Sequence, residues 1–175
     1  VKKPYPAVFE ALKDKNVSLA AATLRPETMY GQTNCWVLPD GKYGAFEISE
    51  GEVIVCAERA AKNLAYQGHS LEYGKVKCLL EIKGRDLIGV PLVAPLATKY
   101  EVVYTLPMLT ILMDKGTGVV TSVPSDSPAD WRTLQDLKEK PDLRSKFGVL
   151  DEWVLPYEAV PILDVEGYGS LCAPK

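Results

Sequence analysis

The chain has 175 residues, 47% of them hydrophobic and 25% charged, with a net charge of −3 at pH 7. These values are typical of one soluble globular domain and exclude a disordered chain, because the apolar content is high and the net charge is small. The mild acidity argues against a non-specific nucleic-acid binder, although a site for only the tip of a nucleic acid needs few phosphate contacts. No apolar run approaches the roughly 18 residues that span a bilayer, so no membrane segment is expected.

Cysteine and histidine are too few and too scattered for a metal site or a histidine-based triad. His69 is the only histidine and lies in a predicted exposed turn. The four cysteines form no C-x-x-C pair; they are Cys35, Cys56, Cys78 and Cys172. Three of them lie within or beside apolar runs, where we expect small buried thiols. Reduced thiols in an intracellular, cytoplasmic protein fit this pattern best, and we expect no bound metal.

In the first half of the chain, short apolar runs alternate with turn signals. The predicted elements are a strand at 17–23, a loop or helical turn at 27–32, strands at 34–38 and 52–56, a helix at 58–66 and a strand at 76–83. Arg25-Pro26 ends the first strand, because the residue before a proline is disfavoured in helical geometry. The apolar segment 87–94 contains Pro91 and precedes Pro95, which confines it to an edge strand or a loop.

The second half continues with strands and ends with two helices. The predicted elements are strands at 101–106 and 108–113, a turn at 114–116, a strand at 118–123, and helices from Ser127 to Lys140 and at 142–147, before an extended segment to Lys175. Ser127 is a good N-cap, Pro128 suits the first helical position, and Asp130 falls at the third. Many short strands with few helices predict a single, mainly β domain over residues 1–175, a barrel or sandwich with small peripheral helices.

Asp130 has two interpretations. Ser127-x-x-Asp130 resembles a capping box, in which the acid supports the first turn of its own helix. Alternatively, the carboxylate stands at the mouth of a glycine-bounded strand, where it binds an ammonium group or orients a water molecule.

Thr23, Arg25 and Thr28 also have two interpretations. They are either ordinary polar residues of a turn, or a functional group of hydrogen-bonding side chains presented by a rigid strand. In the second case Arg25 is suited to binding a phosphate or a ribose. Thr28 either hydrogen-bonds to a ligand or sterically excludes a bulky group.

Two long motifs indicate a protein family, which composition alone does not. Residues 21–37, which include Thr23-Leu24-Arg25-Pro26-Glu27-Thr28, resemble the threonine-rich region of the leucyl-tRNA synthetase editing domain, of the eukaryotic cytosolic and archaeal type. Residues 116–130, from Gly116-Thr117-Gly118 to Asp130, resemble the second signature of the same domain. The resemblance covers nearly the whole chain. It implies the β-barrel fold called connective polypeptide 1 (CP1) and hydrolysis of tRNA(Leu) mischarged with isoleucine, methionine or norvaline.

The resemblance also implies roles for individual residues. Asp130 matches the aspartate that pins the substrate amino group, and Thr28 matches the threonine that excludes leucine. Thr23 and Arg25 match residues that contact the terminal adenosine or position the ester. The strand residues matched to the pocket lining are Thr121, Ser122 and Val123. Leu24 takes a substrate-binding position where bacterial members usually have threonine, so no side-chain hydrogen bond is available there.

The implied chemistry needs no cofactor for editing. Without a Ser–His pair, direct attack by water is favoured over an acyl-enzyme. The HIGH and KMSKS motifs are absent, so aminoacylation, which would use ATP and magnesium in a full synthetase, is not expected. The implied partners are the 3′ end of mischarged tRNA(Leu), with its noncognate amino acid and terminal adenosine, and the rest of a synthetase. The resemblance also implies that this domain is monomeric and that its C-terminal part is missing.

Two alternatives stay open. The editing domains of valyl- and isoleucyl-tRNA synthetases share the fold, and the valine enzyme shares the Arg-Pro-Glu-Thr pattern; Cys35-Trp36 and residues 125–130 favour leucine. A non-catalytic module that senses an amino acid or binds a protein is the alternative from another class.

Overall fold

In the computed structural model, which describes residues 1–175, eight strands form two four-stranded sheets with short helices around them. The strands are β1 (Asn16–Leu19), β2 (Asn34–Val37), β3 (Lys42–Ser49), β4 (Glu52–Cys56), β5 (Lys77–Lys83), β6 (Pro91–Val93), β7 (Val102–Pro107) and β8 (Val119–Ser122). The helices are α1 (Glu58–Tyr66), α2 (Gly84–Leu87), α3 (Pro128–Glu139) and α4 (Pro141–Phe147), with 3₁₀ turns at Ala7–Leu12, Pro26–Gly31 and Asp151–Trp153. None of the helices has both the length and the apolar content needed to cross a membrane. The mainly β architecture with peripheral helices is confirmed.

The first sheet has the strand order β1-β4-β3-β5 and the second has the order β6-β7-β2-β8. β1 runs parallel to β4 and β2 runs parallel to β7, while the other pairs are antiparallel. β6 lies at the edge of its sheet, as its proline required, because proline has no N–H for a second neighbour.

The largest apolar cluster combines residues of both sheets. Val17, Val53 and Val55 of the first sheet join Cys35 and Val119 of the second in this cluster. A second cluster, on the opposite face of β2, packs α3 against the second sheet; its buried members are Trp36, Leu106, Met108, Ile111, Leu134, Leu137, Val149 and Val154. Because β2 is covered on both faces, all four of its residues are buried, including the polar Asn34 at its start.

Three predictions about the strands are corrected. Residues 108–113 form turns and irregular backbone, because β7 already pairs with β6 and β2, and Met108 and Ile111 insert into the second cluster instead. The longest strand, β3, was not predicted, since glycine and charged residues interrupt its apolar pattern; pairing on both sides stabilises it. The first strand ends at Leu19 and does not extend to residue 23.

Candidate functional site

The two sequence motifs lie at the same end of the β2–β8 pair. We call residues 23–31, which include the 3₁₀ turn Pro26–Gly31, the threonine turn; it ends three residues before β2 begins. β2 and β8 are antiparallel, with Asn34 opposite Ser122, so the start of β2 meets the end of β8. β8 then leads through residues 123–127 into α3, whose first turn carries Asp130. The fold therefore brings both motifs to one region, although about 100 residues separate them.

The threonine turn is held by its own hydroxyl groups. The backbone N–H and Oγ1 of Thr28 both donate to the carbonyl oxygen of Arg25, at 3.1 and 2.7 Å. Oγ1 of Thr23 accepts from the backbone N–H of Arg25 at 3.1 Å. Thr23, Leu24 and Arg25 are exposed, and Thr28 is half-buried. The predicted site residues of this turn are thus accessible to a ligand, and none of them is hydrogen-bonded to Asp130.

Asp130 is buried, with 6% of its surface exposed, and both carboxylate oxygens accept hydrogen bonds. The indole Nε1–H of Trp36 donates to Oδ1 at 2.9 Å, and the backbone N–H of Val123 donates to Oδ2 at 2.9 Å. No lysine, arginine or histidine forms an ion pair with this carboxylate. The negative charge is therefore hydrogen-bonded but not neutralised.

The capping-box interpretation of Asp130 is only half right. Ser127 is the N-cap of α3, and its Oγ accepts from the backbone N–H of Asp130 at 3.4 Å. The reciprocal bond is missing, because the backbone N–H of Ser127 donates to the carbonyl of Val123. The carboxylate accepts instead from Trp36 of β2 and from the backbone N–H of Val123, just after β8.

Burial raises the pKa of the Asp130 carboxyl above its ordinary value, and hydrogen bonding to Val123, Ser127 and Trp36 opposes this shift. A carboxylate can accept about four hydrogen bonds, two on each oxygen. Trp36 at Oδ1, Val123 at Oδ2 and the Ser127 hydroxyl that acts on the same carboxyl leave at least one acceptor position free. The group can therefore bind one more donor, and a cationic donor would interact with it most strongly.

Two cavities lie beside β8. One, of about 330 Å³, is lined by Ala22, by residues of the 110–118 segment and by Val119 and Val120. The other, of about 370 Å³, lies between the sheets at the base of the threonine turn and is mainly apolar; its lining includes Met29, Gln32, Cys35 and Thr121.

The predicted lining residues differ in their positions. Thr121 lines the second cavity, whereas Ser122 and Val123 are buried and line neither. Asp130 also lines neither cavity. It lies on the Trp36 face of β2, whereas Cys35 and Thr121 face the space between the sheets, since successive residues of a strand point to opposite faces.

Two features of the site were missed in the sequence. The role of Trp36 is one, although the requirement of a buried indole N–H for an acceptor is a usable signal in the sequence. The C-terminal segment was predicted only as extended chain. Its Ala173 N–H donates to the carbonyl of Ser125 at 3.0 Å, and Ile162 packs against Gly31 of the threonine turn. This segment therefore contacts both motifs.

The sequence of this chain is similar to known proteins over nearly its whole length. The chain is 59% identical over 175 residues to the cytoplasmic leucine–tRNA ligase of Arabidopsis thaliana, covering 100% of this chain and 16% of the relative. It is 54% identical over 173 residues to the same enzyme of Pongo abelii, covering 99% of this chain and 15% of the relative. No protein-family model matches the chain. The predicted cytoplasmic location agrees with the names of these relatives.

Solved structures share the fold. The crystal structure of GlLeuRS-CP1 has a TM-score of 0.91 and 45% sequence identity, covering 96% of this chain and 63% of that chain. The editing domain of the P. falciparum cytosolic leucyl-tRNA synthetase has a TM-score of 0.84 and 29% identity, covering 93% of this chain and 60% of that one. With this identity over its whole length and this fold, the chain belongs to the CP1 editing domains of leucyl-tRNA synthetases of the cytoplasmic type.

Proposed function

We propose that this chain is an aminoacyl-tRNA deacylase that hydrolyses the ester of isoleucyl-, methionyl- or norvalyl-tRNA(Leu) and spares leucyl-tRNA(Leu). One observation supports this most strongly. A buried carboxylate without a cationic partner, Asp130, accepts hydrogen bonds from Trp36 of β2 and from the backbone N–H of Val123 just after β8, in a domain of this family. Such a carboxylate is suited to an ammonium group, which every aminoacyl ester carries.

Asp130 anchors the substrate through that ammonium group. Charge-assisted hydrogen bonds are roughly twice as strong as neutral ones, and low exposure strengthens them further. The anchor fixes the α-carbon, and with it the ester carbonyl. Thr23 and Arg25 are exposed beside the turn and are assigned to the ester and the terminal adenosine.

Selectivity comes from size. Thr28 is half-buried, and its hydroxyl is fixed on the carbonyl of Arg25, so its methyl group has a defined position. We assign it as the steric block to leucine. Apolar contacts alone discriminate between similar side chains by only about 10- to 200-fold, so a site that destroys what fits and rejects leucine by bulk complements a synthetic site.

Water is the nucleophile in this proposal. The region has no Ser–His pair, since His69 is exposed and lies in a turn after α1. Backbone N–H groups and the neighbouring ribose hydroxyl of the tRNA stabilise the oxyanion and orient the water. Leu24 is fully exposed and offers only apolar contact, while Ser122 and Val123 support the pocket from behind.

Editing by this route uses no cofactor, and its partners are the mischarged 3′ end of tRNA(Leu) and the rest of a synthetase. The domain acts as a monomer in this proposal. Because the chain spans only 16% and 15% of the two relatives above, the activities of a whole synthetase lie outside it.

The test is deacylation of isoleucyl-tRNA(Leu) and leucyl-tRNA(Leu) by the wild-type chain and by Asp130→Ala and Thr28→Ala. We expect the wild type to hydrolyse only isoleucyl-tRNA, Asp130→Ala to hydrolyse neither, and Thr28→Ala to begin hydrolysing leucyl-tRNA. Asp142→Ala is the matched control, since Asp142 is an exposed acid in the first turn of α4. Full activity of Asp130→Ala would refute the proposed anchor, and binding without hydrolysis by the wild type would favour a sensing module.

A further inference from the structure

Trp36 is the largest fully buried side chain of the protein, with 0% of its surface exposed. It packs in the apolar cluster between the second sheet and α3, beside Leu106 of β7. Its single polar atom, Nε1, donates to Oδ1 of Asp130 at 2.9 Å. A purely apolar side chain would fill this position without such a contact, so the indole contributes something that packing alone does not require.

We propose that Trp36 is a positioning residue for Asp130, which its indole N–H holds ionised and oriented for the substrate ammonium group. This inference rests on the proposed function. Trp36 fixes Oδ1 and the backbone N–H of Val123 fixes Oδ2, so each oxygen has one donor, one from β2 and one from the segment after β8. With both oxygens fixed, the remaining acceptor positions have a defined direction.

The chemical identity of these donors matters. A lysine or arginine would hold the carboxylate as firmly, but it would also cancel the charge that attracts the substrate. An indole N–H and a backbone N–H are neutral donors, which favour the ionised form while leaving the net charge unopposed. The absence of any ion pair at Asp130 is consistent with this design.

The pKa shift of Asp130 is caused by burial and hydrogen bonds, with no charged side chain among its causes. Cys35, which precedes Trp36 on β2, responds to the charge of Asp130, and burial raises the pKa of that thiol to about 12, so it stays neutral in the working range. On α3 itself, Arg132 is exposed and paired with Asp136 and Glu139. Loss of the indole N–H would therefore act on Asp130 directly and raise its pKa further.

The sharpest variant replaces Trp36 by its benzothiophene analogue, which keeps the ring shape and puts sulfur in place of the N–H. Trp36→Phe is the encodable version. Leu106→Ala is the control, because Leu106 is buried beside Trp36 in the same cluster and makes no contact with Asp130 through a polar atom. This control shows how a packing defect alone affects the titration of Asp130 and the activity.

Three readouts are compared in the full 175-residue chain. They are the carbon-13 NMR titration of the Asp130 carboxyl, the pH dependence of isoleucyl-tRNA(Leu) deacylation, and the affinity for a non-hydrolysable isoleucyl-adenosine analogue. We expect the analogue and Trp36→Phe to raise the Asp130 titration midpoint and the acid limb of the rate profile by about one pH unit. At acid pH the rate and the affinity then fall about tenfold. Leu106→Ala should lower stability and leave both midpoints in place.

An unchanged Asp130 titration in the benzothiophene variant would overturn the inference, whatever the activity. A shifted titration with an unshifted rate profile and affinity would also overturn it, because the contact would then be only structural. The proposed function fails by a different result, namely hydrolysis by Asp130→Ala. The two failures are therefore distinguishable.

Discussion

Thr33 donates its backbone N–H to the carbonyl oxygen of Ser122 at 3.2 Å, and this bond joins the end of the threonine turn to the end of β8. The two side-chain hydroxyls are also close, with Oγ1 of Thr33 and Oγ of Ser122 3.4 Å apart, and both residues are fully buried. Oγ1 of Thr33 donates to Oδ1 of Asn34 at 2.8 Å. The two motifs thus share a buried polar junction, which fixes their relative position.

The junction predicts a cost for Thr33→Val, which keeps the shape and removes the hydroxyl. Nδ2 of Asn34 already has no hydrogen-bond partner, so losing the Thr33 donor would leave the whole buried amide without one. We expect a loss of about 1–3 kcal/mol in the free energy of unfolding. Urea denaturation measures it. Thr133→Val on α3 is the control, where an exposed hydroxyl bonds only within its helix, and an equal loss there would contradict the prediction.

Gly31→Ala should disturb the threonine turn through the C-terminal segment. A Cβ at residue 31 would lie 2.7 Å from two side-chain carbons of Ile162 and 3.1 Å from the carbonyl oxygen of Val160. We expect a destabilisation of about 1–3 kcal/mol, as for other overpacked sites. The double variant Gly31→Ala with Ile162→Ala should recover part of the loss. Strict additivity of the two changes in urea denaturation would show that the contact is not the cause.

Ser127→Ala tests the N-cap of α3, the helix that carries Asp130. The cap bond, from the Asp130 N–H to Oγ of Ser127, is long at 3.4 Å, so we expect a loss near the low end of the usual range, about 0.5–1 kcal/mol. Ser127→Thr should retain most of the stability, because threonine is also an N-cap residue. A similar loss in both variants, measured by thermal or urea unfolding, would argue that the hydroxyl has no capping role.

Asp130 should make stability depend on pH in the direction opposite to most carboxylates. Burial raises its folded-state pKa above the ordinary value of 3.8, so its contribution to stability is greatest below pH 3.8 and is lost as the pH rises through the folded-state pKa. The difference in unfolding free energy between the wild type and Asp130→Ala should therefore shrink, or change in favour of the variant, as the pH rises. Urea titrations from pH 3 to pH 8 measure this difference. A difference that grows with pH would contradict the direction of the shift.

Glu47 supplies the opposite case within the same chain. Its side chain is nearly buried and bonds Lys15 at 2.6 Å and Lys77 at 3.3 Å, and the Lys15 hydrogen bond is the main cause that holds the pKa of Glu47 below 4.5. Its stabilisation is present above pH 4.5 and is lost as the pH falls through the lowered pKa. Glu47→Gln should therefore destabilise the protein at pH 7 and match the wild type in strong acid. A constant difference across this range would contradict the assignment.

Much of the local structure was predictable because it depends on neighbouring residues. The capping serine and first-turn proline of α3, the edge position of β6 and the helix α1 were all predicted from short patterns, and the structure confirms them. β3 and residues 108–113 were not, because their state depends on whether a partner strand is available. β3 has partners on both sides despite Gly44 and Glu47, and the apolar run 108–113 has none.

The sequence by itself determined the family, through two long motifs and the order in which they occur, and it determined which acid to examine. Only the tertiary structure decided how that acid is held. Whether the Asp130 side chain closes a capping box or turns toward β2 depends on Trp36, 94 positions earlier, and on the Val123 N–H at the end of β8. A buried carboxylate takes the donors that folding brings within reach, and that choice is made by strand pairing, which no local pattern specifies.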